Sequence, residues 1–290
     1  MSGNSRDRII ARLGARRSFS GQGWERDAIW LGNGMRREVF FFESGGVLLY
    51  GSLFSAAEIS RPLGVVACSS WGVEADRSDP LVRSAALAMA RLGGAGMVFH
   101  YPGYGDSFGD LVGAELSRLG EAAADAVAEA RRRCPGLSWL LAGFMFGASV
   151  ALAALRPAAV DRLLLVQPAL RPGAYFERLA RRSQPLAPGP SPKQMMEVGT
   201  TPGMAYGYPV AERILERGIE ADATVAAALE AFAGKGAVIR HAVPDGDESL
   251  PDHFEQVVVD GAWRFGSQNN PRLGGAVSDW LDRRTPAEPR

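Results

Sequence analysis

The sequence predicts an α/β fold, a mostly parallel twisted sheet with helices on both faces and an inserted cap. Three observations predict it. Short apolar runs alternate with helical patterns between residues 64 and 168, as in consecutive βαβ units. The runs are apolar at successive positions, as expected for strands covered on both faces. The rhythm then breaks at Pro168 and resumes near residue 236, which reads as an insertion between two strands of one sheet.

The elements follow in order. Residues 1–37 read as an Arg-rich, partly ordered arm, with Gly-Gln-Gly and Gly-Asn-Gly as breaks. The pattern changes at 38–43 and 47–54, two strand-like runs flanking Ser44-Gly45-Gly46, and a β-hairpin is expected. Residues 64–70 form a buried strand. Residues 79–92 carry apolar side chains at helical spacing and end at Gly93-Gly94. A strand at 96–101, an Ala-rich helix at 116–133, a strand at 139–144, a helix at 148–155 and a strand at 162–167 complete the first part. Beyond the loop at 185–192, helical patches are expected at 210–219 and 221–232, strands at 237–243 and 256–260, and a closing helix at 275–283. The expected organisation is an arm (1–37), a core (38–168 and 236–290) and a cap (169–235).

Composition narrows the function. Hydrophobic residues make up 47% and charged residues 22%, ordinary globular values. Thirty-two basic residues balance thirty-two acidic ones, so no global charge draws the chain to nucleic acid or an anionic membrane. Lys193 and Lys235 are the only lysines, an Arg bias that fits a GC-rich bacterial source. Two cysteines, Cys68 and Cys134, make no disulfide framework, and a reduced, cytoplasmic chain is expected. The first residues lack the apolar stretch of a secretory signal, and no run approaches a membrane span. No metal-ligand spacing and no phosphate-binding glycine pattern is present, so neither a metal nor a nucleotide cofactor is expected.

One motif carries chemistry. Gly143-Phe144-Met145-Phe146-Gly147 joins a strand to a helix with the G-x-Nu-x-G layout of a nucleophile elbow. Four further loops accompany it: Ser69–Gly72, Tyr101–Gly109 (YPGYGDSFG), Asp247–Pro251 (DESLP) and Gly261–Phe265 (GAWRF). On these five loops the chain resembles the α/β-hydrolase superfamily from about residue 38 to 284. The nearest resemblance is to exosortase-associated hydrolases and, more distantly, to serine-aminopeptidase-like hydrolases, on the stretch 76–91, the GYGDSFGD run, the Gly-Ala-Ser after the elbow and Gly207-Tyr208-Pro209.

That resemblance implies a triad, and the triad is broken. The nucleophile position is Met145, whose thioether has no proton to lose. The acid position is Asp247, with Asp245 beside it. The histidine position is Arg264, a guanidinium that cannot act as a base near neutrality. The oxyanion donors would be the main-chain N–H groups of Trp71 and Phe146, which survive any side-chain change. Met145 is expected to fill the space that a small nucleophile leaves, and Arg264 either pairs with Asp247 or faces solvent. Ser149, one helical turn beyond the elbow, is expected in the packed interior, and Cys68 in a buried strand. Of the three histidines, His100 ends a strand where pockets form, His241 reads as mid-strand and His253 as the exposed start of a short helix.

The expected pocket lining is Trp71, His100, Phe144, Met145, Phe146, Asp247 and Arg264, with Tyr206 and Tyr208 from the cap. The favoured function is a non-hydrolytic pseudoenzyme that binds an apolar acyl-type small molecule, with a protein partner or homo-oligomer as its alternative. An enzyme using the pocket without a triad comes second, and an esterase or thioesterase third.

Overall fold

Backbone pairing in the computed structural model builds one nine-stranded sheet. The structure describes residues 28–32, 34–111, 113–182, 204–205, 208–209, 212–241, 250–259 and 271–284. The strands are β1 (Ile29–Gly32), β2 (Met35–Ser44), β3 (Val47–Ala56), β4 (Leu63–Cys68), β5 (Ala95–Phe99), β6 (Ser138–Phe144), β7 (Arg162–Val166), β10 (Lys235–His241) and β11 (Glu255–Val259). A separate two-stranded hairpin, β8 (Met204–Ala205) with β9 (Tyr208–Pro209), lies in the segment read as a cap. The sheet order is β1-β2-β3-β5-β4-β6-β7-β10-β11. From β5 to β11 all neighbours are parallel, and β1, β2 and β3 add an antiparallel edge.

The helices are α1 (Val73–Arg91), α2 (Leu116–Arg133), α3 (Gly147–Ala158), α4 (Pro172–Arg182), α5 (Glu212–Glu216), α6 (Gly218–Ala231) and α7 (Pro271–Arg284). They cover both faces. Val65, Ala67, Leu140, Ala142 and Phe144 pack with Val82 and Met89 of α1 and with Val277 and Trp280 of α7. Their strand neighbours Val66, Cys68 and Leu141 point the other way, into a cluster with Ala122 and Ala126 of α2, Val150 of α3 and Phe176 of α4. Period-two side-chain direction with burial on both faces is why these strands read as unbroken apolar runs.

Three elements depart from the sequence reading. Among the described residues the sheet begins at Ile29, inside the segment read as an arm; Gly32 and Gly34 adopt positive φ (77° and 69°) where β1 folds back onto β2. Helix α1 starts at Val73 rather than residue 79, and Pro80 lies within it. Helix α4 occupies a stretch read as irregular. His253 lies in a turn and not at a helix start, although it is exposed as expected; His241 ends β10 rather than lying mid-strand.

Candidate functional site

Strand β6 runs into α3 through two turn residues, Met145 and Phe146. Met145 has φ 52°, a left-handed conformation that costs a non-glycine residue roughly 1–2 kcal/mol. Three main-chain hydrogen bonds hold it there. Its N–H donates to the Val166 carbonyl (2.9 Å), and its carbonyl accepts from the N–H groups of Ala148 and Ala169 (both 3.0 Å). The flanking glycines permit the close approach. A Cβ on Gly143 would lie 2.4 Å from Ala148 Cα, and one on Gly147 would lie 2.1 Å from the Cys68 carbonyl oxygen. Both distances are below any real contact, so the turn accepts only glycine on either side.

The Met145 side chain is 6% exposed. Beside it the Trp71 ring meets Phe146 edge-on at 6.1 Å and Phe176 at 5.7 Å. Phe146 stacks on Tyr175 at 5.4 Å and meets Phe176 edge-on at 5.0 Å. All four rings are buried. Edge-to-face and offset contacts of this kind stabilise beyond the area they bury. Tyr175 and Phe176 come from α4, which the sequence reading missed. Their signal was available: Pro172 suits a first helical turn, and Tyr175, Phe176 and Leu179 share one helical face.

Polar groups surround this cluster. The Tyr175 and Ser70 hydroxyls both donate to Glu74 Oε2 (2.9 and 3.2 Å), and Glu74 lies in the first turn of α1, where the helix dipole favours a carboxylate. Tyr101 donates to the Ser69 carbonyl (2.8 Å). Burial first, then the Glu74 charge, pushes the Tyr175 phenol well above its usual range; burial does the same to Tyr101. Burial also drives the Cys68 thiol far up, so it is no thiolate. The Phe146 N–H has no acceptor among the described residues. Ser149 is fully buried and its hydroxyl donates to the Ala169 carbonyl, so it braces the turn from beneath.

The expected site residues therefore divide. Trp71 and Phe146 are in ring contact, and the buried Met145 directly precedes Phe146 in the turn. Phe144 is fully buried in the core on the α1–α7 side, across the sheet from Phe146. Alternation along β6 puts Phe144 on the side of Leu140 and Ala142, and the left-handed turn at Met145 then carries Phe146 to the other side. His100 stands apart: its ring stacks on Tyr50 at 4.6 Å and meets Tyr104 edge-on at 5.8 Å. The cavity that it borders, about 400 Å³, has no lining from Met145, Trp71 or Phe146. Asp245, Asp247, Arg264 and Tyr206 lie outside the described residues, as does the side chain of Tyr208. Among the described residues no serine or cysteine is hydrogen-bonded to an imidazole, and no group of three His, Cys, Asp or Glu side chains could hold a metal ion. No described helix is long and apolar enough to cross a membrane.

Comparison of the whole chain with solved structures agrees with this architecture. A lidless α/β serine hydrolase from Xanthomonas campestris superposes with a TM-score of 0.56 at 17% identity, covering 87% of this chain and 97% of that one. Est1E from Butyrivibrio proteoclasticus, in its complex with ferulic acid, gives 0.56 at 15% identity, covering 84% and 96%. A cold-adapted esterase from an Arctic intertidal metagenomic library gives 0.54 at 12% identity, covering 91% and 100%. The chain has the α/β-hydrolase fold. No family model matches the sequence, and no curated protein matches it either. Within the α/β-hydrolase fold, the turn at Met145 lies at the C-terminal end of a central parallel strand, between β4 and β7 in the sheet. Ligand crevices form at that edge of open parallel sheets.

Proposed function

We propose that this protein is a non-hydrolytic member of the α/β-hydrolase superfamily, of the exosortase-associated type. In this reading it binds an apolar, acyl-type small molecule at the head of the sheet. The observation that carries it is Met145. The left-handed turn is kept, with its glycines and three hydrogen bonds, while the side chain held there is a buried thioether. Keeping the strained turn preserves the place where a carbonyl oxygen would rest against the Phe146 N–H, with the Trp71 main chain as the second donor. Replacing the nucleophile removes acyl transfer. Arg264 in the histidine position completes the loss. The buried rings of Trp71, Phe146, Tyr175 and Phe176 beside the turn suit an apolar ligand.

The test is twofold. Purified protein turns over p-nitrophenyl acyl esters at the background rate and is not labelled by a fluorophosphonate probe. A thermal-shift screen of acyl compounds finds at least one stabilising ligand, and Phe146→Pro, which deletes the N–H, abolishes that shift. Esterase turnover that survives Ser149→Ala, Ser69→Ala and Ser70→Ala would falsify the reading.

A second copy of this chain is the alternative occupant. Strand β1 is the outermost strand, and Ile29, Trp30 and Leu31 on it are exposed. An open strand edge with apolar side chains can pair with another. Sedimentation that stays monomeric across about a hundredfold range of concentration removes this alternative.

A further inference from the structure

Away from the elbow, on the face of β2, β3 and β5 beside α1, lies the cavity of about 400 Å³ that His100 borders. Arg37, Tyr50, Ser52 and Phe54 share this face through the β2–β3 register. The Arg37 guanidinium is half-buried. Its Nε donates to Ser52 Oγ (2.8 Å), one Nη donates to the Tyr50 hydroxyl oxygen (3.0 Å), and its plane lies 5.5 Å from the Phe54 ring. No carboxylate pairs with it among the described residues. A half-buried cation held only by neutral partners is an unusual expense for a fold.

Two more donors stand beside it. Tyr50 Oη already accepts from Arg37, so its own proton points elsewhere, and no described group accepts it. His100 Nδ1 accepts from the Asp106 N–H (3.1 Å), which leaves the ring proton on Nε2, again without a described acceptor. Two donors with no described acceptor, Tyr50 and His100, thus stand beside a guanidinium that pairs with no described carboxylate.

We propose that this cavity binds a small monocarboxylate, with its two oxygens on Arg37 and Tyr50 and within reach of His100. The rest of the lining decides the class. Phe54, Val82 and Val98 supply an apolar wall for a ring or short chain. The lining also includes Asp76, Asp79 and Asp106 together with Arg83. Asp79 is bonded to Arg83 (2.6 Å), and Asp76 accepts from the Tyr104 hydroxyl (2.6 Å). Three carboxylates against two guanidiniums leave the lining slightly negative. A dianion such as phosphate is therefore repelled, while one carboxylate against Arg37 is matched by one cation. Arg also presents paired donors in the geometry of a carboxylate. The site shares no lining residue with the elbow turn and stands independently of the function proposed for that turn.

The test uses the full chain and three probes: benzoate, its neutral isostere benzamide, and inorganic phosphate, each to about 10 mM in a thermal-shift titration confirmed by calorimetry. Benzoate is expected to raise the melting temperature in a saturable way, while benzamide and phosphate do not. Arg37→Gln is expected to weaken benzoate at least tenfold, and Tyr50→Phe, which keeps the ring and removes the donor, about threefold. Arg37→Lys, which keeps the charge but not the fork, serves if the glutamine variant does not fold and is expected to weaken binding severalfold. Equal shifts with benzoate and benzamide, a benzoate shift unchanged in the Arg37 variants, or no shift with benzoate at all would each overturn the proposal.

Discussion

The elbow and the Arg37 cavity lie on one sheet and are built in opposite ways. The elbow is rigid and glycine-locked, buried aromatic rings pack beside it, and the residue at its left-handed turn carries a thioether. The cavity is an open space whose side chains carry unmatched donors. Geometry without chemistry marks the first, and chemistry without a committed geometry marks the second. Strain in a turn is held in place by packing around it, so it persists whatever the chemistry of the side chain there. The half-buried Arg37 cation has neutral partners and no described carboxylate, which argues for an anionic ligand.

The contrast is sharpest if the elbow is broken first. Phe146 is fully buried and touches Trp71, Tyr175 and Phe176. Phe146→Ala is expected to cost about 3–5 kcal/mol, read from the urea midpoint. Gly147→Ala comes next. Its new Cβ would meet the Cys68 carbonyl at 2.1 Å, and because the obstacle is backbone, about 3 kcal/mol is expected to be lost. An alanine variant with wild-type stability would show that the β4 loop is free to move away, and the rigid description of the elbow would be wrong. Arg37→Gln, by comparison, is expected to leave unliganded stability within about 1 kcal/mol, since it removes two hydrogen bonds together with an unpaired charge.

How far the sequence foretold each region follows the same division. The β-α rhythm, the helix over 116–133 and the turn at Met145 were legible because local periodicity and glycine spacing fix them. Strand β1 was missed because its signal, three apolar residues before Gly32, is short and set among arginines. Phe144 was misplaced because a G-x-Nu-x-G motif specifies the turn and not the face to which its first x residue points; alternation along β6 decides that. The Arg37 cavity was not legible. Residues 37, 50, 54 and 100 are brought together only by register between β2, β3 and β5, and register is a tertiary property.

Smaller effects separate the polar shells. Tyr175→Phe removes a donor to Glu74 and leaves Ser70 as a hydrogen-bond donor to that carboxylate. About 1 kcal/mol of lost stability is expected, with no change in benzoate binding, since Tyr175 does not line the cavity. A loss of benzoate affinity in this variant would couple the two regions and end the comparison between them.

The smallest expected effect is a pH dependence confined to the cavity. Desolvation lowers the His100 pKa below its usual value; Asp106 and Asp79 oppose that shift and Arg83 adds to it. An unfolded chain takes up this proton near pH 6.5, whereas the folded chain resists it until a lower pH. Between those two values the unfolded state binds more protons, so stability falls as pH drops below about 6.5 and levels off below the folded pKa. The ring is partly exposed and water screens it, so the loss is expected to be under about 1 kcal/mol. At the elbow, Tyr175, Tyr101 and Cys68 are all shifted upward and stay protonated throughout this range. His100→Gln, which offers an uncharged side chain of similar reach, is expected to flatten the stability profile between pH 5 and 7 while Tyr175→Phe leaves its slope unchanged. Urea midpoints at half-unit pH intervals measure both slopes. If the glutamine variant keeps the wild-type slope, the titrating group lies elsewhere and His100 is not held neutral by its surroundings. The orientation assigned to its Nε2 proton would then have to be given up.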